Sequence, residues 1–195
     1  MTVPLGDCSD SELAVLARSG RQAAYGELMR RYREPVYRVV RSHVGDADEA
    51  VDVVQDSFVA AFAAIGRYEG SRPFRHWINR IAINKCRDWG RRRKVRQMFG
   101  LALPIEAAED VVDSAIHGEA LIDDMYALTQ ATRAIATLPP KLKEPLILTA
   151  IDGLSQFETA AVLGISEKAV ETRIARARKA LGELLAQNNV SQVRL

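Results

Sequence analysis

The stretch LSQFETAAVLGISEKAVETRIARARKAL, residues 154–181, decides the fold of the C-terminal part of the chain. Ser155 stands three residues before Glu158, and this capping box predicts a helix over 156–163. Gly164 supplies the backbone freedom that a tight turn needs at the end of such a helix. The stretch therefore predicts a short helix that is followed at once by a turn.

A second helix is predicted directly after this turn, over about 167–187, because Ser166 can cap it and Glu167 lies at its positive end. Apolar residues recur where the two helices must pack together, at Ala161, Ile165, Val170 and Ile174. The outward side is rich in long polar side chains that suit phosphates and base edges, namely Lys168, Glu171, Thr172, Arg173, Arg176 and Lys179. This pattern predicts a helix-turn-helix that binds duplex DNA. A helical hairpin with solvated charges is the alternative.

The composition is that of a globular, all-helical protein. Hydrophobic residues make up 48% of the 195 residues and aromatic residues 6%, and no segment alternates at the period of a strand. Neither a secretory signal nor the ~20 apolar residues that cross a bilayer are evident, so we expect a cytoplasmic protein without membrane insertion of its own. Cys8 and Cys86 lie far apart in the sequence, which predicts reduced structural thiols and no metal site or other cofactor.

The net charge of +2 hides a separation of charge along the chain. Between residues 67 and 96, eleven Lys and Arg residues stand against two acidic ones, for a net charge of about +9. Residues 97–124 carry seven acidic residues and neither Lys nor Arg, for a net charge of about −7. This second segment has no sustained amphipathic pattern, so we predict a linker between two small domains.

Four helices are predicted before the linker. A short one begins near residue 9, and the next is kinked at Pro35 and presents one apolar face, formed by Tyr25, Leu28, Met29, Tyr32, Val36 and Val40. The third covers about 46–65, ends at Gly66 and has an apolar stripe of Val51, Val54, Phe58, Phe62 and Ile65. The fourth covers about 73–93 and places inward Phe74, Trp77, Ile78, Ile81, Ala82 and Trp89.

After the linker, a helix is predicted over about 125–138. Pro139 and Pro140 break it, and a further helix is predicted over 142–151. Gly153 ends that helix. With the helix-turn-helix, these helices form the second small domain.

The fourth helix carries a stripe of hydrogen-bond donors opposite its apolar face, formed by Arg80, Asn84, Arg87 and Arg91. The loop before this helix and its first turn mix cations with aromatic rings, in Arg67, Tyr68, Ser71, Arg72, Arg75 and Trp77. Cations follow a phosphate backbone, and rings in a loop can hold unstacked bases. We therefore predict nucleic-acid binding here, although Trp77 also fits the core stripe and surface arginines can form a merely solvated face.

The third helix has an acidic side, formed by Asp48, Asp52, Gln55 and Asp56. A side of this charge repels DNA. It is either a solvated helix face or a surface that docks onto a basic protein partner. The residues alone do not decide between these two interpretations.

In this order, the features resemble the extracytoplasmic-function class of the sigma-70 family, which retains the second and fourth conserved domains of that family. The motifs are ELMRRYREPVYRVV (27–40), DEAVDVVQDSFVAAF (48–62), FRHWINRIAINKCRDWGRRR (74–93) and LPPKLKEPLILTAIDGLSQFETAAVLGIS (138–166). The resemblance implies an all-α fold in which an acidic flexible linker, 97–124, joins two small helical domains. These are a sigma-two-type bundle over 1–96 and a sigma-four-type helix-turn-helix domain over 125–195.

The resemblance also implies roles for these surfaces. The acidic side of the third helix would bind the clamp coiled coil of the β′ subunit in core RNA polymerase. The basic block would bind the −10 element of promoter DNA, with a flipped base in the loop from Tyr68 to Phe74, and the helix-turn-helix would bind the −35 element. Many members have a Gly-Thr pair near the start of the second helix of that motif, where this chain has Lys168, Ala169 and Glu171. A relative's −35 sequence therefore does not carry over.

Members of this class direct polymerase to promoters in stress or envelope responses, and a cognate anti-sigma factor commonly holds them inactive. Two other functions fit part of the sequence. A stand-alone helix-turn-helix regulator would leave the basic block and the acidic linker unused, and a sigma mimic that sequesters an anti-sigma factor would not need the cations over 80–96. An enzyme is the least favoured class, because no motif assembles a nucleophile, a base and oxyanion donors.

Overall fold

The structure is a computed structural model that describes residues 4–100 and 119–192. Over these two ranges the protein is all-α, as predicted, with two short 3-10 turns at Leu5–Asp7 and Ile65–Arg67 and no strand. The helices are α1 (Asp10–Arg18), α2 (Gln22–Val44), α3 (Ala47–Ala63), α4 (Phe74–Met98), α5 (Glu119–Thr137), α6 (Pro140–Ala150), α7 (Gln156–Leu163) and α8 (Glu167–Gln192). Of the predicted linker, residues 101–118 lie outside the described residues.

The first four helices, which we call the N-terminal unit, enclose one hydrophobic cluster. Ser9 caps α1 in a capping box with Glu12, and α2 continues through Pro35 to Gly45, whose φ of 86° ends the helix in the left-handed region. The face of α2 that the spacing predicted is buried at Leu28, Val36 and Val40. Cys8 and Cys86 are buried free thiols, and burial raises the pKa of Cys86 to about 12.

The boundaries and the buried face of α3 differ from the prediction. The helix ends at Ala63 rather than near residue 65, because the chain tightens into the Ile65–Arg67 turn. Val51 and Phe62 are 39% and 43% exposed, so the predicted stripe was wrong at these two positions. The buried side consists of Ala50, Val53, Val54, Ser57, Phe58 and Ala61. Apolar residues of α3 occupy more of its surface than the core covers. The predicted stripe therefore included residues that do not pack against the core.

Helix α4 is longer than predicted and contributes to two clusters. Phe74, Ile78, Ala82, Cys86 and Trp89 are buried in the N-terminal unit, while Trp77 and Ile81 are only half-buried at its margin. The indole Nε1 of Trp89 donates a hydrogen bond of 2.6 Å to Glu49, which ties α4 to α3.

The last four helices, which we call the C-terminal unit, include the predicted helix-turn-helix. Ser155 and Glu158 form the capping box at the start of α7, and Gly164 takes φ 67° between α7 and α8. The amide of Ala169 donates to the Ser166 hydroxyl at 3.2 Å, as a cap at residue 166 requires. Ala161 is exposed, and its neighbours Ala160 and Val162 are buried instead, so the predicted packing was wrong at this residue.

The bounds of α6 in the C-terminal unit differ from the prediction because of where its prolines lie. The helix begins at Pro140, in the first turn where a missing amide hydrogen costs nothing, and it continues through Pro145. The preceding helix, α5, begins at Glu119, six residues before the predicted start at 125. None of the helices in the described part of the chain is long and apolar enough to cross a membrane.

The two units share buried apolar surface. Val39 of α2 and Ile83 of α4 belong to the cluster of the C-terminal unit, together with Ile135, Leu138, Leu146, Ile147 and Leu148. Helix α4 contacts α7, and α2 contacts both α5 and α6. The units therefore form one packed body in this structure.

Candidate nucleic-acid interface

The predicted donor stripe on α4 is only partly free. Arg80 and Asn84 are exposed, and Arg91 is exposed but lies in an ion pair with Asp88. Arg87 donates to the side-chain oxygen of Asn84 at 3.2 Å. The guanidinium of Arg87 also points toward the C-terminal unit, so Arg87 and Arg91 both already have carboxylate partners.

The loop before α4 presents its cations and buries its aromatic ring. Arg67, Ser71 and Arg72 are exposed, as a nucleic-acid contact requires. Tyr68 is only 9% exposed, and its hydroxyl donates to the carbonyl of Arg72 at 2.7 Å. Its ring lies 5.4 Å from that of Phe74 and 5.3 Å from that of Trp77. In this arrangement Tyr68 belongs to the core, and only a movement of the loop could bring its ring to a base.

Arg75, at the start of α4, is bound to the C-terminal unit. Its guanidinium contacts the carboxylate of Asp152 at 3.0 and 2.9 Å and also donates to the Asp152 carbonyl. The amide nitrogen of Asn79 donates to the same carboxylate at 2.6 Å. Asp152 is 4% exposed, and burial raises its pKa above the ordinary value against the opposing effect of Arg75.

Arg87 makes the second contact of this kind. It donates to both carboxylate oxygens of Glu144, at 2.7 and 2.5 Å, and the Glu144 side chain is 3% exposed. Burial acts to raise the pKa of Glu144, but the hydrogen bonds from Arg87 outweigh it and the pKa is lowered. We call Arg75–Asp152 and Arg87–Glu144 the two inter-unit ion pairs.

Lys143 joins the ends of two helices beside these pairs. Its ammonium donates to the carbonyl of His43 at 2.7 Å, in the last turn of α2, and to the carbonyl of Ala136 at 2.8 Å, in the last turn of α5. A cation is favourable at helix C-termini because unpaired carbonyls concentrate there. Burial lowers the pKa of Lys143 to about 8. One side chain thus caps a helix from each unit.

The sequence pattern did not identify Glu144, Asp152, Asn79, His43 or Lys143. A signal for two of them was present, since Glu144 and Asp152 are charged residues that interrupt the apolar stretch 142–154. Buried charges of this type need a partner. The partners lie 57 and 77 residues away along the chain, at Arg87 and Arg75.

The second helix of the helix-turn-helix, α8, presents the predicted polar side. Arg176 and Lys179 are exposed, and Lys168 and Glu171 form an exposed ion pair at 2.9 Å. Thr172 and Arg173 are half-buried, and Thr172 donates to the carbonyl of Lys168 at 2.8 Å. The pairing of Lys168 with Glu171 removes part of the positive charge from the first turns of α8.

The acidic side of α3 lies on the surface. Asp48, Asp52, Gln55 and Asp56 are all exposed. Two arginines of α4 approach this surface, with Arg92 at 3.7 Å from Asp56 and Arg96 at 3.8 Å from Glu49. Val59 and Phe62 on the same helix are 69% and 43% exposed. Helix α3 therefore exposes carboxylates and apolar area on one side, of which Asp56 lies near Arg92 and the Phe62 ring packs against Tyr25.

Acidic pH is expected to destabilise the protein through His43. The residue is 2% exposed, and burial lowers its pKa. The positive charges of Lys143 and Arg87 lower the pKa further, whereas Glu144, 3.7 Å away, acts to raise it. The unfolded state takes up a proton near pH 6.5, whereas the folded state resists protonation, so stability falls as the pH drops below about 6.5. The loss is limited to about 1.4 kcal/mol per pH unit for one proton.

Chemical unfolding of the wild-type protein between pH 7.5 and 5.5 measures this slope. His43→Gln should reduce it, and His76→Gln, which changes a half-buried histidine 3.2 Å from Glu158, serves as the matched control. An unchanged slope in the His43 variant would show that the proton is taken up elsewhere.

Family models match both units of the chain. The sigma-70 region 2 model matches residues 28–96, and the sigma-70 region 4 model matches residues 128–181. The first range holds the acidic side of α3 and the basic side of α4. The second holds the carboxylates of the inter-unit ion pairs and the helix-turn-helix.

Named relatives match nearly the whole chain. The RNA polymerase sigma factor CnrH of Cupriavidus metallidurans is 41% identical over 91% of this chain and 94% of its own. The ECF RNA polymerase sigma factor SigM of Mycobacterium tuberculosis is 28% identical, with 97% of this chain and 96% of SigM covered.

Two solved structures share the fold. That of CnrH in complex with the cytosolic domain of CnrY has a TM-score of 0.66 and 36% identity, and covers 91% of this chain and 97% of that one. The sigma factor RpoE of Bartonella quintana, in complex with the anti-sigma factor NepR, has a TM-score of 0.65, with 83% and 96% of the two chains covered. Its 22% identity supports the fold alone.

Proposed function

The chain belongs to the extracytoplasmic-function class of the sigma-70 family, and from this premise we propose how its surfaces direct core RNA polymerase to promoters. The observation that carries the proposal is that region 2 and region 4 matches occur in the order 28–96 and 128–181, each on a unit with exposed cations. Such a protein is a transcription initiation factor. It acts by binding and needs no chemistry of its own, and it works in the cytoplasm beside the polymerase.

The basic side of α4 and its preceding loop bind the −10 element. Arg67, Arg72, Arg80 and Arg91 are exposed and can follow the phosphates of an opened strand. Asn84 can donate to a base or a sugar, and Ser71 lies in the exposed loop. Arg75 and Arg87 join this surface when they leave their carboxylate partners. Trp77 and Tyr68 support the loop by packing, and a base contact by either ring requires the loop to open.

The second helix of the helix-turn-helix binds the −35 element as duplex. Arg176 and Lys179 lie exposed along α8 for phosphate contacts, with Arg173 beside them. Lys168 and Glu171 form an ion pair in the first turns, where a recognition helix meets base edges. Glu171 can accept a hydrogen bond from cytosine. We therefore propose that Lys168, Glu171 and Thr172 set the sequence preference.

The acidic side of α3 binds the clamp coiled coil of the β′ subunit. Asp48, Asp52, Gln55 and Asp56 supply charge, and the exposed Val59 and Phe62 supply apolar area beside them. An interface of this type combines an apolar centre with charges that fix orientation. The apolar area favours a protein partner over a merely solvated face.

We assign the domains as 1–96 for region 2 and 125–195 for region 4, with 97–124 as the acidic linker, whose last residues form the start of α5. A cognate anti-sigma factor is a further proposed partner, because CnrH, at 41% identity, has been solved with the cytosolic domain of CnrY. A stand-alone helix-turn-helix regulator is not favoured, since such a protein has no use for the region 2 unit that matches over 28–96. A sigma mimic is not favoured either, since it has no use for the cations of α4.

Arg80→Ala combined with Asn84→Ala tests the −10 assignment. Each side chain is exposed, so the fold should persist, while the loss of donors to the opened strand should slow promoter opening about tenfold or more. Fluorescence of a 2-aminopurine base in the −10 element measures opening, and a pull-down measures core binding, which should not change. Arg30→Ala removes an exposed arginine of α2 as control. Loss of core binding in the double variant would show that this side of α4 is misassigned.

A further inference from the structure

The loop before α4, residues 68–73, is hydrogen-bonded to the first helix of the chain. The hydroxyl of Ser11 in α1 donates to the carbonyl of Gly70 at 3.2 Å, although 59 positions separate the two residues in the sequence. Within the loop, the Tyr68 hydroxyl donates to the carbonyl of Arg72 at 2.7 Å. The loop is therefore closed on itself and is also attached to a helix outside the surface that we assign to DNA.

The backbone of this loop approaches α1 closely because residue 70 is a glycine. A Cβ placed on Gly70 would lie 3.1 Å from the Oγ of Ser11 and 3.3 Å from its Cβ. Both distances are shorter than the separation of about 3.5–4.0 Å at which non-bonded atoms attract each other best. Gly66, in the turn before the loop, differs in this respect, since nothing lies within 4 Å of its added Cβ.

Helix α1 is a fixed support for this contact. Asp10, next to Ser11, accepts a hydrogen bond from Arg31 at 3.0 Å and another from the hydroxyl of Tyr32, and both donors belong to α2. Leu13 of α1 is completely buried in the core of the N-terminal unit. Because α1 is anchored in this way, a movement of the loop away from the core breaks the hydrogen bond of Ser11.

A base contact by Tyr68 requires such a movement, because its ring is 9% exposed and packs against Phe74 and Trp77. We propose that Ser11 is a positioning residue for base capture, which holds the loop closed until an unpaired base of the −10 element replaces this packing. This proposal rests on the proposed function, since it assigns to α1 the control of the −10 loop. Ser11 acts without touching DNA. Its hydrogen bond reduces the fraction of protein with an open loop, and the apparent affinity for an unpaired base falls with that fraction.

Hydrogen exchange in the free, full-length protein tests the restraint on the loop. Ser11→Ala removes the donor, whereas Gly70→Ala keeps the donor and pushes the loop away from α1. Mass spectrometry of peptides that cover 68–73 should show exchange about threefold faster in each variant, as the loss of one exposed hydrogen bond predicts. Ser19→Ala removes a hydroxyl that donates only within α1, at 2.8 Å, and Gly66→Ala adds a methyl group in open space. These two matched controls should exchange as the wild type does.

Base capture is measured on the complex of each protein with core polymerase. Fluorescence anisotropy compares a labelled single strand of random sequence with an abasic strand of the same length, so that contacts to bases are separated from contacts to phosphates. The Ser11→Ala and Gly70→Ala variants should bind the base-containing strand about threefold more tightly than the wild type does. Their affinity for the abasic strand should not change, and the two controls should match the wild type on both strands.

Unchanged exchange in either folded variant would overturn the proposal. So would faster exchange with a preference for the base-containing strand that equals the wild-type value or falls below it. Circular dichroism checks the fold, and if one variant does not fold, the other decides the question with its own control. Failure of the proposed function has a different signature, because the wild-type complex would then bind the two strands equally. The exchange rates of the free protein would still show whether Ser11 restrains the loop.

Discussion

Arg87→Ala is expected to lower the free energy of unfolding by about 3 kcal/mol, which is a large effect for a partly exposed arginine. The substitution leaves the Glu144 carboxylate, which is 3% exposed, without the guanidinium that contacts both of its oxygens. We take the lower end of the range for broken buried pairs because the Arg87 side chain is itself 38% exposed. Urea unfolding, followed by circular dichroism, measures the change.

Arg80→Ala is the matched control for this prediction, because both arginines lie on the outer side of α4 and Arg80 is exposed. Its cost should stay within about 0.5 kcal/mol. Adding Glu144→Gln to Arg87→Ala should recover part of the lost stability, since the remaining buried group is then neutral. Equal costs for the two single arginine variants would show that the Arg87–Glu144 pair contributes no more than a surface contact.

Asp52→Lys with Asp56→Lys is expected to weaken the binding of core polymerase at least about 100-fold. The clamp coiled coil that we propose as the partner of α3 must be basic where it meets these carboxylates, and like charges placed opposite each other cost several kcal/mol. The fold should be little affected, because both residues are exposed and the Asp56–Arg92 ion pair at 3.7 Å, which the variant breaks, lies on the surface.

Competition with a fluorescently labelled sigma factor for core polymerase measures this affinity. Glu34→Lys reverses the charge of another exposed carboxylate, on α2, and should bind as the wild type does. Tight binding by the Asp52, Asp56 variant would show that α3 is not part of the polymerase interface. The acidic side would then be a solvated helix face.

The local features of the fold were predictable because short-range rules determine them. Ser155 and Glu158 are three residues apart, and Gly164 follows the helix that they start, so the sequence shows the beginning and the end of α7. The apolar spacing of α2 likewise reports its buried face at Leu28, Val36 and Val40. These signals do not depend on how the helices pack together.

The buried faces of helices that carry apolar residues on several sides were less predictable. In α3, apolar residues occupy more of the circumference than α2 and α4 cover, and only the packed structure distinguishes the buried Val53 from the exposed Val51. Tyr68 shows the opposite case. Its place in a loop among cations predicted a ring that can hold an unstacked base, but in the structure the ring packs against Phe74 and Trp77.

The sequence pattern did not predict how the two units pack against each other. Arg75 and Asp152 are 77 residues apart, and neither residue type nor spacing indicates that they meet. The basic stripe of α4 was predictable as a stripe, whereas the pairing of two of its cations with buried carboxylates depends on tertiary packing.

Run-off transcription measures whether this protein directs core RNA polymerase to promoters. Purified core polymerase is mixed with this protein and with genomic fragments of its host, over a range of salt concentrations because phosphate contacts weaken as salt rises. We expect transcripts that begin at defined promoters, that require this protein, and that are lost with the Asp52, Asp56 variant. The absence of any promoter-specific transcript at every salt concentration would contradict it.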